Sequence, residues 1–253
     1  MAEQRGAPRK GLLTLDQQNS SSDIFISISG LIGAGKTTLA TKLAEKMGLP
    51  CFYEPVIDNM YLADFYRDPK RYSFPLQVYL LNRRFQQHQQ IIWQGRGGVQ
   101  DRTIYEDSVF AKVLMESDMM EEREYSTYRS LFSNMSNFMK KPNLIVHLDV
   151  SPQESKRRID VRSRECESTI SLEYLTHLHG AYEEFIQDIA RIIPVIRVNY
   201  EHFRTAEEMA DMIMREYAVM SSVRYVDFNT PENPPCKRET ENECQEQAFV
   251  QPV

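Results

Sequence analysis

The sequence predicts an α/β protein whose parallel sheet of five strands is covered by helices on both faces. Short apolar runs alternate with longer helical stretches through residues 23–220, which is typical of a parallel sheet. One run, 144–148, is apolar at nearly every position, as in strands buried on both faces. A chain of 253 residues that is 42% hydrophobic can build one sizeable core. We expect polar residues 1–22 to form a flexible arm and residues 221–253 a largely disordered tail.

The elements follow in order from the apolar and polar patterns. The first strand, 24–29, leads through a glycine-rich turn into an amphipathic helix, 38–47, which ends at Gly48. The other strands are expected at 51–54, 97–100, 144–149 and 194–198. The other helices are expected at 57–66, 74–95, 104–117, 121–139, 152–162, 171–191 and 205–218. Ligands of such sheets bind beyond the carboxyl ends of the strands, so the polar residues there are the candidate site residues.

Composition and charge exclude several classes of protein. The net charge of −6 argues against a nucleic-acid binder, which usually carries a basic excess. No apolar run approaches the ~18–20 residues of a membrane span, and no signal-peptide core is present. The four cysteines form no CxxC pair and suit reduced thiols inside a cell. Acids and bases mix near the N-terminus, which gives little support to an import signal, so a cytoplasmic protein is expected.

A phosphate-binding loop follows the first strand. Gly30, Gly35, Lys36 and Thr37 match the pattern G-x4-G-K-[ST] between a strand and a helix, the context that this motif requires. Its glycines let backbone N–H groups surround phosphate oxygens at a helix N-terminus. Lys36 can reach the outer phosphates of a nucleoside triphosphate, and the Thr37 hydroxyl can ligate Mg²⁺. We expect the whole loop to bind the triphosphate: Gly30, Leu31, Ile32, Gly33, Ala34, Gly35, Lys36, Thr37 and Thr38.

Charged residues end the second and third strands. Glu54 ends one, and Asp101 and Arg102 end the other, at the same edge of the sheet as the loop. A triphosphate site needs a carboxylate near its metal, and transfer to a hydroxyl benefits from a second carboxylate that accepts the proton. Alternatively, Asp101 caps the next helix and Glu54 is a solvated strand end. Their occurrence together beside the loop favours the functional interpretation.

These residues, with Pro55 and Thr103, resemble the deoxynucleoside kinases over about 24–203. The resemblance implies the P-loop kinase fold and ATP-dependent 5′-phosphorylation of deoxynucleosides. It implies that Glu54 is the general base, that Arg102 orients the 5′-hydroxyl, and that Asp101 helps to hold Mg²⁺. Thr103 stands where the family usually has serine.

The resemblance also implies the acceptor side of the site. Tyr66 would contact the sugar 3′-hydroxyl, and Gln77 would pair with the base edge through its amide donor and acceptor. Arg84, two helical turns after Gln77, would pair with an acid, for which Asp107 is the best candidate and Glu106 a second.

In this family an arginine–acid pair accompanies kinases of deoxycytidine and purine deoxynucleosides. The Tyr61–Tyr66 and Ile104–Asp107 segments look most like the deoxyadenosine/deoxyguanosine kinase branch, so deoxyadenosine is the expected substrate. Phe110 is either a wall for the base or a core residue.

A lid of arginines is expected after the fourth strand. Arg158 and Arg162 lie four residues apart on one helix face, and Arg164 follows. Guanidiniums bind phosphate oxygens in pairs and can offset the charge that spreads during transfer. By resemblance, these three residues and Lys36 stabilise the transferred group, and Glu167 joins Tyr66 at the 3′-hydroxyl. Ser163 stands where the family often has glycine.

Three other functions remain to be weighed. A guanine-nucleotide switch would carry N-K-x-D and D-x-x-G, which this chain lacks. A nucleoside monophosphate kinase shares the fold, but an already ionised phosphate acceptor needs no base such as Glu54. A regulatory protein that only binds a nucleotide would not need converging acids and a lid.

The resemblance also implies a homodimer whose interface lies near the helices that contain Met115, Met119, Met120 and Met135. Filling of the core explains these methionines more simply.

Overall fold

The computed structural model describes residues 24–54, 59–163, 167, 169–202 and 204–221. Its sheet has five parallel strands in the order β2-β3-β1-β4-β5. The strands are β1 (Phe25–Gly30), β2 (Cys51–Phe52), β3 (Gly98–Asp101), β4 (Leu144–Asp149) and β5 (Val195–Asn199). The predicted sheet is therefore confirmed, with each strand within about three residues of its expected bounds. The expected arm 1–22, the tail beyond residue 221 and Arg164 lie outside the described residues.

Helices connect the strands. They are α1 (Lys36–Met47), α2 (Leu62–Arg67), α3 (Pro69–Gln94), α4 (Ile104–Glu116), α5 (Glu122–Ser136), α6 (Pro152–Arg162), α7 (Leu172–Ile189) and α8 (Ala206–Ser221). Helix α3 begins at Pro69, five residues before the expected start at 74. Asp68 caps it by accepting from the Arg71 N–H, and proline at the first helical position needs no N–H partner. Pro75 is accommodated inside the helix.

The strand register determines where the site forms. Strand β1 is buried at every position and pairs with β3 and β4. Ile28 lies opposite Asp101, and Phe52 lies opposite Gln100. The carboxyl ends of β1, β2 and β3 therefore meet at one edge of the sheet. Strand β2 is one of the two edge strands and ends after two residues, so Glu54 leaves the ladder and is available to the site.

Two apolar clusters support this edge. The main one packs α1, α7 and α8 residues against the sheet, with Ile28, Leu39 and Val146 fully buried. The second joins α3, α4 and α5 and contains Met120, with Met115, Met119 and Met135 packed against it. These methionines thus fill the core of the chain itself, as the simpler interpretation predicted. In the part of the chain that the structure describes, no helix has the length and apolar character needed to cross a membrane.

Candidate active site

The phosphate loop has a backbone that only glycine adopts easily. Gly30 and Gly35 have φ of 142° and 91°. A Cβ on Gly30 would lie 2.7 Å from the Leu148 carbonyl oxygen. Gly35 precedes α1 and makes no side-chain cap, so the first N–H groups of α1 are open to an anion. The loop residues that line the cavity are Ile32, Gly33, Gly35, Lys36, Thr37 and Thr38, whereas Leu31 and Ala34 are buried in the core.

Lys36 lies within this loop and is 6% exposed. Its Nζ donates a hydrogen bond of 2.6 Å to the Leu31 carbonyl oxygen. Burial, together with the Arg102 charge, lowers the pKa of Lys36 to about 8, although Asp101 and Glu54 oppose the change. Lys36 is therefore a cation in a dry position where a phosphate oxygen can take the place of the carbonyl.

Thr37 and Asp101 bring two oxygen ligands together beside the loop. The Thr37 hydroxyl donates to Asp101 Oδ2 at 2.5 Å. Asp101 is 1% exposed, and its Oδ1 has no hydrogen-bond partner among the described residues. Burial and the nearby Glu54 charge raise the pKa of Asp101, while Lys36 and Thr37 oppose them. Hard oxygen ligands with one unsatisfied acceptor suit a divalent cation such as Mg²⁺.

Glu54 is held by two arginines. Its Oε1 lies 2.7 Å from Arg84 Nη2 and 3.1 Å from Arg102 Nε. Burial alone would raise the pKa of Glu54, but Arg102 and Arg84 outweigh it and lower the pKa to about 2. The side chain keeps 26% of its surface exposed and lines the cavity. An ionised carboxylate therefore faces the cavity at neutral pH.

Arg102 contacts four side chains in and around the site. Its φ of 71° is unusual for a residue with a side chain. The guanidinium contacts Glu54, Glu106 and Tyr182, and lies 4.8 Å from the centre of the Phe110 ring. Phe110 thus serves both as a wall of the cavity and as a platform for Arg102.

The structure distinguishes the two acids that were candidates for Arg84. Arg84 donates to Asp107, whereas Glu106 accepts from Arg102. Consecutive helical residues project about 100° apart, so adjacent acids on α4 reach different arginines. The Arg84 and Asp107 side chains are 2% and 1% exposed. Burial raises the pKa of Asp107 to about 6 against the opposing Arg84 charge.

A cavity of about 580 Å³ extends from the loop to α2 and α3. Tyr66, Gln77 and Glu167 line it, as expected for an acceptor site, but Arg84 and Asp107 lie behind its wall. Gln77 is 3% exposed, and its Oε1 has no hydrogen-bond partner in the described chain. An amide oxygen left in this way suits a ligand with a planar hydrogen-bonding edge.

Sequence reasoning missed several walls of the cavity and one contact of Arg102. The missed walls are Tyr53, Asn59, Leu62, Phe65, Leu76, Leu80 and Tyr174. The spacing of Leu62 from Tyr66, and of Leu76 from Leu80, places each pair on one helix face and is a signal that could have found them. Tyr182 lies 80 residues after Arg102, and no local pattern connects the two.

Helix α6, which carries the expected lid arginines, packs against the loop, and its Ser155 hydroxyl donates to the Ile32 carbonyl oxygen at 2.6 Å. Arg158 donates to Glu154 Oε1 and to the Tyr200 carbonyl oxygen, at 2.6 and 2.7 Å. Its guanidinium also lies 4.5 Å from the centre of the Tyr200 ring. Arg162 donates to Glu167, and both Arg158 and Arg162 line the cavity. Arg164, the third expected lid residue, lies outside the described residues.

Comparison with known proteins finds similarity over most of the chain. Residues 26–221 match the family model described as deoxynucleoside kinase. The chain is 58% identical to a deoxyadenosine kinase of Dictyostelium discoideum, over 87% of this chain and 89% of that protein. It is 36% identical to a deoxyadenosine/deoxycytidine kinase of Bacillus subtilis, over 71% of this chain and 83% of that protein. A solved structure of a deoxyadenosine kinase from M. mycoides with bound dATP matches with a TM-score of 0.69 at 30% identity, over 77% of this chain and 99% of that one.

Proposed function

This chain belongs to the deoxynucleoside kinase family and is a phosphotransferase, and from that premise we propose which substrate it prefers and which residues act. The preferred reaction is transfer of the γ-phosphoryl group of ATP to the 5′-hydroxyl of deoxyadenosine. The observation that supports it best is the single cavity that joins the phosphate loop, the ionised Glu54 and Arg102. ATP and the deoxynucleoside can therefore bind next to each other in this cavity. The phosphoryl group can then pass directly between them, without a protein nucleophile.

The donor side consists of the loop and the lid. Backbone N–H groups at the start of α1 and the buried Lys36 would bind the phosphates. Arg158 and Arg162 line the cavity beside the loop and, with Arg164, would offset the charge that spreads over the transferred group. In this structure Arg158 and Arg162 contact protein oxygens, which phosphate oxygens would replace.

The acceptor side consists of Glu54, Arg102, Tyr66, Gln77 and Glu167. Glu54 would accept the proton of the 5′-hydroxyl, which Arg102 orients. With a pKa of about 2, Glu54 is a weak base, so it chiefly aligns the hydroxyl and accepts the proton late. A loose transition state for phosphoryl transfer is compatible with late proton transfer. Tyr66 and Glu167 line the cavity where the sugar 3′-hydroxyl would bind, and Gln77 Oε1 would accept from the base.

Mg²⁺ is the divalent cation that we assign to this reaction. Thr37 and Asp101 would hold it, because their adjacent oxygens are hard ligands and Asp101 Oδ1 is otherwise unsatisfied. When bound, the ion neutralises phosphate charge and orients the oxygens for in-line displacement.

Deoxyadenosine is favoured by two observations. Gln77 lines the cavity and its buried Oε1 has no partner among the described residues, so this oxygen can accept from an exocyclic amino group. Thymine would present an oxygen to this protein oxygen. Two acceptors that face each other cannot form a hydrogen bond, which costs ~1–3 kcal/mol of binding free energy. Relatives over most of the chain are named deoxyadenosine kinases.

The deciding experiment is a kinase assay of the purified chain with ATP, Mg²⁺ and each of the four deoxynucleosides. We expect the highest kcat/KM with deoxyadenosine and a product phosphorylated at the 5′ position. Deoxyinosine, which carries oxygen in place of the 6-amino group, is the matched control and should react more slowly. Turnover of a nucleoside monophosphate with none of the four nucleosides would overturn the proposal. A higher kcat/KM for deoxyguanosine or deoxycytidine would overturn only the substrate preference.

We also propose that the chain works as a homodimer in the cytoplasm. The four methionines in and beside the α3–α5 cluster do not support this, because they pack within the chain. Light scattering of the purified protein tests the dimer, and a monomer mass at working concentrations would exclude it. Fractionation of the source cells tests the compartment.

A further inference from the structure

Two buried side chains contact Arg102 without lining the cavity, Glu106 on α4 and Tyr182 on α7. Arg102 Nη1 donates to Glu106 Oε1 at 2.9 Å and to the Tyr182 hydroxyl at 2.6 Å. We propose that Glu106 and Tyr182 are positioning residues that set the Arg102 guanidinium for phosphoryl transfer. This inference rests on the proposed role of Arg102.

The backbone of Arg102 is held by its N–H, which donates to the Ile28 carbonyl oxygen at 3.0 Å, but its long side chain needs other groups to position it. The residue follows β3 in a left-handed conformation, with φ of 71°. An arginine side chain loses ~2 kcal/mol of rotamer entropy when it is held in one geometry. Glu106 and Tyr182 hold the same nitrogen, Nη1, from two different helices. The Nε side of the guanidinium is left to face Glu54 at 3.1 Å.

Glu106 also balances the charge on Arg102. Two carboxylates, Glu54 and Glu106, lie on opposite parts of one guanidinium, at 3.1 and 2.9 Å. Glu106 is 1% exposed, so its attraction for Arg102 is little screened by water. Removal of the Glu106 charge would leave Glu54 as the stronger partner of Arg102. Glu54 would then be held in the ion pair and be less available to a hydroxyl.

Tyr182 is itself held rigidly. Its ring lies 5.6 Å from the ring of His147 and 6.1 Å from that of Phe110, which it meets edge-on at 90°. Phe110 in turn carries the Arg102 guanidinium. The hydroxyl of Tyr182 is therefore fixed relative to the cavity wall, because ring contacts of this kind restrict both side-chain torsions. A rigid acceptor is what a positioning role requires.

Two substitutions test the proposal, Tyr182→Phe and Glu106→Gln, each of which keeps the shape of its side chain. We expect kcat with deoxyadenosine to fall about tenfold or more in each, with KM for ATP changed less than twofold. Tyr105→Phe is the matched control. It removes a buried phenol hydroxyl that makes no hydrogen bond within the described chain, so kcat should be unchanged.

A double-mutant cycle separates positioning from general stability. If Tyr182 acts through Arg102, Tyr182→Phe should cost little further kcat in an Arg102→Lys background, and the effects should be non-additive. Fully additive effects, or wild-type kcat in both single variants, would overturn the inference while the wild-type assay still supports the kinase.

Stability is measured on the same samples by urea unfolding. If Tyr182→Phe does not fold, Glu106→Gln and its cycle with Arg102→Lys decide the question alone. A loss of kcat that disappears when the variants are assayed at a lower temperature, where they are fully folded, would also overturn the inference.

Discussion

The donor and acceptor halves of this site are built in different ways. The donor half is a contiguous loop, Gly30–Thr38, whose contribution is mainly backbone geometry and a helix N-terminus. The acceptor half consists of side chains from separate stretches of chain, and its charged cluster alone draws on four of them. Glu54, Arg84, Arg102, Glu106 and Asp107 contact one another although up to 53 positions separate them.

This difference determines which physical property each half depends on. A loop that binds through N–H groups tolerates changes in distant side chains, but not an added Cβ. A cluster of buried charges tolerates backbone adjustment, but not the loss of one partner, since the remaining charge stays buried. The two halves should therefore fail in different measurements, and four predictions test this.

The largest effect is expected for Glu54→Gln. Loss of the carboxylate removes the proton acceptor, so kcat should fall about 10²–10⁴-fold. The Kd for ATP should not change, because the donor half is intact. Pre-steady-state turnover and ATP titration measure the two quantities. The control is Glu45→Gln, which replaces an exposed acid on α1 and should leave kcat at the wild-type value. Full turnover by Glu54→Gln would show that Glu54 is not the base.

Arg84→Met should chiefly reduce folding stability. The substitution leaves the buried Asp107 carboxylate near Glu54 and without its ion-pair partner. Breaking a buried ion pair in this way lowers the free energy of unfolding by about 3–5 kcal/mol. Urea unfolding measures the loss. Arg83→Met is its neighbour on α3 but is exposed, so it should change stability by less than ~0.5 kcal/mol. Equal stability of the two variants would contradict the view that the acceptor half depends on buried charge.

Gly35→Ala should weaken the donor half alone. Alanine is strained at φ of 91°, and its Cβ would lie 3.1 Å from the Tyr200 ring. Strain of ~1–2 kcal/mol predicts a Kd for ATP that is about 5–30-fold higher. Deoxynucleoside binding should be unchanged. Gly48→Ala has a similar strain at φ of 63° but no neighbour within 4 Å, so it should lower stability and leave ATP binding intact.

The pH dependence should also come from the donor half. Lys36 must be protonated to bind phosphates, and its pKa of about 8 lies below the usual value. In the free enzyme, kcat/KM for ATP should therefore fall up to tenfold per pH unit above about 8. The Lys36→Arg variant stays charged at high pH. Its kcat/KM for ATP should therefore not fall above about pH 8, even if its activity is lower than that of the wild type. Because Glu54 has a pKa of about 2, its protonation should not lower kcat/KM near neutral pH.

Local patterns predicted much of the fold. All five strands were predicted, most clearly β1 and β4, because strands buried at nearly every position differ in composition from the amphipathic helices between them. The start of α3 was missed by five residues, because the Asp68 cap and Pro69 begin the helix before the expected start at 74. The end of β2 was missed because an edge strand stops where its partner's register allows, which no local pattern records.

The sequence by itself determined the phosphate loop, because its glycines, lysine and threonine act together over a few adjacent positions. It also identified Glu54, Asp101 and Arg102 as candidates, because parallel strands bring their carboxyl ends to one edge. Only the tertiary structure decided that Arg84 pairs with Asp107 and Arg102 with Glu106. Only the tertiary structure brought Tyr182 to Arg102. Partners among buried charges depend on distances between elements that pack together only in the folded chain, and spacing along the sequence does not encode them.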